Sequence, residues 1–83
     1  MVSFHSFFVS EMNYQEEGNQ ALKKGDLDLA MELYTKGIEE SPKSFQLYSN
    51  RSLVFLKKQK YKDALDDAIK TIQIAPDWVK VNE

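Results

Sequence analysis

Apolar residues recur along the chain at the three-to-four-residue spacing of amphipathic helices, in four blocks. In the first block Tyr14, Ala21 and Leu22 share a face, followed by Lys24-Gly25-Asp26, where Gly25 suits the left-handed residue that ends a helix. Leu27, Ala30, Met31, Leu33, Tyr34 and Ile38 form the second, with Glu and Lys between them. Ser41-Pro42 ends it, because proline disfavours a helical conformation in the residue before it. The third block runs through Leu47, Tyr48, Leu53, Val54, Phe55 and Leu56 to a glycine-free turn, Lys58-Gln59-Lys60. The fourth holds Tyr61, Ala64, Leu65, Ala68, Ile69 and Ile72 and stops before Pro76. Asp77 is placed to cap a following helix.

The blocks repeat. The offset that carries Pro42 onto Pro76 also carries Tyr14 onto Tyr48 and Leu22-Lys23-Lys24 onto Leu56-Lys57-Lys58. It carries Ala30 onto Ala64, Lys36 onto Lys70 and Ile38 onto Ile72 as well, without a gap. So many identities at one offset predict an all-α chain of two helix-turn-helix units. The boundaries expected are 1–12 for a Phe-rich extension, 13–44 and 45–76 for the repeats, and 77–83 for the start of a third unit or a capping segment. Small residues fall where paired helices must approach closely: Ala30, Ala64, Gly18 and Ser52, with Tyr34 and Phe55 filling the remaining space. A helix pair cannot bury its apolar face alone, so the fourth block is expected to expose Leu65, Ile69 and Ile72.

These residues resemble the tetratricopeptide repeat, a helix-turn-helix unit with the same period. The first unit carries Tyr14, Gly18, Ala30, Tyr34 and Pro42 at the family's positions, the second Tyr48, Ser52, Phe55, Ala64, Ala68 and Pro76. Glu17 and Arg51 stand where the family prefers an apolar residue, Gly37 and Thr71 where it prefers alanine. The resemblance implies a right-handed superhelix, truncated here before a third repeat. Glu17-Gly18-Asn19, Leu47-Tyr48-Ser49-Asn50-Arg51-Ser52 and Pro76-Asp77-Trp78-Val79-Lys80 further resemble the carboxylate-clamp subgroup, which holds the C-terminal Glu-Glu-Val-Asp of heat-shock chaperones. Asn19, Asn50 and Lys80 match clamp positions, Gln15 replaces the first lysine, and the final arginine position falls beyond Glu83. The resemblance thus implies a cytoplasmic co-chaperone module that binds acidic C-terminal peptides in a concave groove, weakly in this form. Gln15, Asn19, Asn50 and Lys80 would meet the carboxylates, and Tyr48 and Phe55 the apolar side chain. Asparagine amides and a lysine ammonium are the donors such a peptide end requires.

Composition narrows the alternatives. Hydrophobic residues are 42% and charged residues 29%, the balance of a folded chain, and a net charge of −2 gives no basic excess for nucleic acid. The lack of cysteine excludes disulfides and thiolate zinc sites, and no metal or other cofactor is expected. His5 is the only histidine, no glycine-rich phosphate loop exists, and Ser41, Ser44, Ser49 and Ser52 lack a nucleophile-elbow context, so no enzyme is expected. Asp63 and Asp67 share a face one turn apart and read as solvated. Arg51 reads as paired with a carboxylate such as Asp67 or Glu40, with a peptide contact as the sharper alternative. Trp78 reads as a core residue over the end of the second unit.

No apolar run approaches the roughly 20 residues of a membrane span, and residues 1–12 lack the basic start of a signal peptide. Phe4, Phe8 and Met12 form one stripe that suits folding back over the repeats or meeting a second copy. A membrane surface suits it less, since it carries no Lys or Arg. The rival function is structural self-association, as a homodimer through the exposed repeat end or this extension.

Overall fold

The computed structural model describes residues 14–77. Four helices follow in order among them: α1 over 14–23, α2 over Leu27–Glu40, α3 over Phe45–Lys57 and α4 over Tyr61–Ile74. There is no strand among the described residues. The phenylalanine-rich residues 1–12, Trp78 and Lys80 lie outside the described part.

Local chemistry sets the helix ends. Asp26 accepts the Leu29 backbone N–H at 3.2 Å, capping α2. α2 and α4 stop at Glu40 and Ile74, just short of Pro42 and Pro76. Asp77 lies within helical backbone that resumes at 76, rather than capping it.

The two helix-pair turns are built alike from different residues. Gly25 has φ 83°, and Gln59, its equivalent in the second unit, takes the same left-handed conformation at φ 62°. A residue with a Cβ holds that conformation at a cost of about 1 kcal/mol, which glycine avoids. Gln59→Gly is therefore expected to raise unfolding stability by about 0.5 kcal/mol, after part of the gain is lost to the freer unfolded chain. Urea denaturation followed by circular dichroism measures it; no change or a loss would contradict the account.

The core is Ala21 from α1, Ala30 and Tyr34 from α2, and Leu47 and Val54 from α3, with Leu22, Leu27, Met31, Leu33 and Ile38 packed around it. The repeat positions are satisfied differently in the two units. In the first, Gly18 leaves room for the Tyr34 ring: a Cβ on Gly18 would lie 2.5 Å from its Cε1. In the second, the equivalent residue Ser52 faces a unit in which Ala68 replaces Tyr34. The Ser52 hydroxyl donates to the Ala64 carbonyl at 2.8 Å. The two alanine departures also have reasons. A Cβ on Gly37 would meet Leu47 Cδ1 at 2.9 Å, and the Thr71 hydroxyl, buried, donates to the Asp67 carbonyl at 2.9 Å.

The expectation for Asp67 is also corrected. Asp67 is not solvated; it is 5% exposed and lies inside the second unit, because Arg51 comes to meet it. Pairing of the helices brings the middle of α3 against the middle of α4, and a carboxylate there is kept only with a cationic partner. Asp63, one turn earlier, is exposed as expected. The exposed strip on α4 is as the pattern required: Leu65 is 59%, Ile69 43% and Ile72 49% accessible.

Candidate functional site

Asn19 on α1 and Asn50 on α3 are brought together where the first helices of the two units lie side by side. The Asn50 Nδ2 donates to the Asn19 Oδ1 at 3.3 Å, and the Tyr34 hydroxyl, reaching up from α2, donates to the same oxygen. Burial raises the Tyr34 phenol above its ordinary pKa, so the hydroxyl stays a donor. The Asn19 oxygen thus accepts two hydrogen bonds, and its amide nitrogen is left as a donor. Gln15, one turn earlier on α1, is half-buried on the same face. The structure thus joins Asn19 and Asn50 into an amide pair spanning two repeats, with Gln15 one turn from Asn19 and in no hydrogen bond with either.

The apolar part of this surface differs in emphasis from the aromatic pair named from the sequence. Tyr48 is 8% exposed, Phe55 is half-buried, and both rings lie under the Arg51 guanidinium, at 5.9 and 5.7 Å from their centroids. Leu53 and Leu56 are 43% and 49% exposed. Leu53 lies one turn beyond Asn50 on the open face of α3, although the helical pattern groups it with the core. A signal is present in the sequence: Leu53 is the second-unit equivalent of Asn19, a residue read as groove-facing.

Arg51 is a structural residue. Its Nε and Nη2 donate to the two Asp67 oxygens at 2.7 and 2.9 Å, and its Nη1 to the Thr35 hydroxyl at 3.3 Å. It therefore ties α3 to α2 and α4 at once, and its hydrogen bonds to Asp67 hold the guanidinium pKa above even its usual value. At the outer edge Lys58 pairs with Asp28 at 2.6 Å, joining the second turn to the start of α2. That pair holds the exposed Asp28 carboxyl below the usual range.

No cluster of metal-ligating side chains occurs among the described residues. A shallow cavity of about 370 Å³ lies between α1 and α2, lined by the apolar Ala21, Leu29 and Leu33 and by the polar Glu17, Gln20, Lys24 and Asp26. The amide pair is not part of it. No helix among the described residues is long and apolar enough to cross a membrane.

Stacked helix pairs, repeated in sequence and joined by a polar patch across their first helices, define an α-helical repeat protein that presents a surface rather than an enclosed site. No family model matches the chain. It is 45% identical over 69 residues to heat shock protein STI1 of Saccharomyces cerevisiae, covering 81% of this chain and 12% of that protein. It is 44% identical over 64 residues to tetratricopeptide repeat protein 28 of Mus musculus, covering 77% and 3%. With Hsp70-Hsp90 organizing protein 2 of Arabidopsis thaliana the identity is 39% over 64 residues, covering 77% and 11%. The chain thus spans 12% or less of the length of these relatives. It belongs to the tetratricopeptide-repeat family.

Proposed function

We propose that the chain is a cytoplasmic protein-interaction module of co-chaperone type, taking the acidic C-terminal peptides of heat-shock chaperones against the faces of α1 and α3. The observation that carries this reading is the joined amide pair, Asn19 and Asn50, oriented from below by Tyr34. Amide groups held in place by each other and by the buried Tyr34 hydroxyl meet a terminal carboxylate at a reduced ordering cost. Leu53 supplies an apolar contact one turn away for a valine-sized side chain. Two relatives whose names refer to heat-shock proteins support the partner class.

Two features set the expected strength. Gln15 donates a hydrogen bond but carries no charge, and Arg51 is committed to Asp67. Binding is therefore expected to be weak. Calorimetric titration with a peptide ending in Glu-Glu-Val-Asp is expected to saturate with the free acid and not with the same peptide amidated at its C-terminus. Asn50→Ala is expected to lower affinity at least tenfold, as a hydrogen bond to a charged group contributes about 1.5–3 kcal/mol. Leu53→Ala is expected to lower it several-fold through lost apolar contact. Equal responses to acid and amide would overturn the reading.

A further inference from the structure

The repeated triplet Leu22-Lys23-Lys24 and Leu56-Lys57-Lys58 closes the first helix of each unit. Two of its lysines are accounted for: Lys58 pairs with Asp28, and Lys24 lines the shallow cavity between α1 and α2. Lys23 and Lys57 are exposed, and neither has an ion-pair partner among the described residues. Lys23 stands one turn beyond Asn19 on α1, and Lys57 one turn beyond Leu53 on α3. The Lys58–Asp28 pair joins the second turn to the residues just after the first. It thereby sets the C-terminal ends of α1 and α3 at one edge, so the two helices run in the same direction. Their open faces carry two matched rows: Asn19 then Lys23 on α1, and Leu53 then Lys57 on α3.

These rows have the spacing of an extended peptide. Four residues of helix rise about 6 Å. Alternate residues of an extended chain lie about 6.6 Å apart and point the same way. Seated between α1 and α3, a peptide with its terminal carboxylate on the amide pair and its valine on Leu53 sends alternate side chains to alternate helices. The valine and the residue two places before it turn toward α3, and the residue next to the valine turns toward α1. In Glu-Glu-Val-Asp the first glutamate then comes to Lys57 and the second to Lys23, each within reach of a flexible four-carbon stem. Charge agrees with this placement. Gln15 is uncharged and Arg51 is committed to Asp67, so Lys23 and Lys57 are the only unpaired cations on α1 and α3.

We propose that Lys23 and Lys57 determine which acidic tails this face accepts, a role that rests on the peptide-binding function proposed for the same face. Lys23 meets the glutamate next to the valine, and Lys57 meets the glutamate before it. Calorimetric titration of the whole chain at low salt tests the two pairs separately. Lys23→Gln is expected to lower affinity for the Glu-Glu-Val-Asp peptide several-fold. It is expected to have no further effect on a peptide with glutamine in place of the glutamate next to the valine. Lys57→Gln is expected to couple in the same way to the first glutamate and not to the second. Both losses are expected to shrink at high salt, because exposed charges are screened, while circular dichroism stays unchanged. Suppose the free acid is still preferred to the amide, yet each glutamine peptide loses as much affinity with the variants as with the parent chain. That result would overturn the lysine assignment alone and leave both lysines as charges set against the helix dipoles. Coupling of each lysine to the other glutamate would overturn the alternation. Loss of the preference for the free acid would remove the peptide-binding function, and this selectivity with it.

Discussion

Arg51→Met is expected to lower the unfolding free energy by about 3 kcal/mol, a large loss for a domain this small. Asp67 is 5% exposed, and its two oxygens are held by Arg51 alone among the described side chains. Removing one partner of such a pair leaves a buried charge uncompensated, which costs about 3–5 kcal/mol; the lower figure suits a guanidinium that keeps 20% of its surface. Arg51→Lys is expected to recover only part, since an ammonium lacks the planar fork that meets both oxygens while lying over the Tyr48 and Phe55 rings. Arg51→Met with Asp67→Leu is expected to regain most of the stability, because two apolar side chains of similar volume need no solvation. Urea denaturation of the three variants measures the coupling. Equal costs for Arg51→Met and the double variant would show that the guanidinium acts only by its packing.

Gly18→Ser is expected to cost about 2 kcal/mol, even though serine is the residue at the equivalent place in the second unit. The new Cβ would enter to 2.5 Å from the Tyr34 ring, which is fully buried and anchored by its hydroxyl to Asn19. Overpacking of this kind costs about 1–3 kcal/mol, offset only in part by the better helix propensity of serine over glycine. Tyr34→Ala alone is expected to cost about 3–5 kcal/mol through the lost ring. The double variant reproduces the Ser52 and Ala68 pairing of the second unit, so its cost is expected to fall well short of the sum of the two. Strict additivity in thermal or urea unfolding would refute the size exchange. Gly18→Ser is also expected to weaken peptide binding, since a displaced Tyr34 no longer orients the Asn19 amide.

The size exchange marks the limit of what the repeat pattern conveys. The period identifies Gly18 and Ser52 as equivalent and Tyr34 and Ala68 as equivalent. It does not say that the large and small members trade places between units, because that is a property of pairs across helices. Asp67 shows the same limit. On its own helix it reads as one more acidic position, and its burial follows only once α3 sets Arg51 against it. Asn19 and Asn50 were legible as candidates through resemblance, but their mutual hydrogen bond and the support from Tyr34 were not. Leu53 was hidden for the opposite reason: an apolar residue in a helical pattern reads as core until the packing leaves it outside.

What the sequence by itself determined is therefore the local and periodic part: four helices, their ends at glycine and proline, the repeat of the helix pair, and the unsatisfied strip on α4. These follow from backbone preferences and from the hydrophobic period, which act over a few residues. What only the tertiary structure decided is which side chains share a contact across helices: Arg51 with Asp67, Tyr34 with Gly18 and Asn19, and the amide pair itself. Those contacts join residues far apart in the chain, and their energies depend on small differences in distance that no local preference specifies.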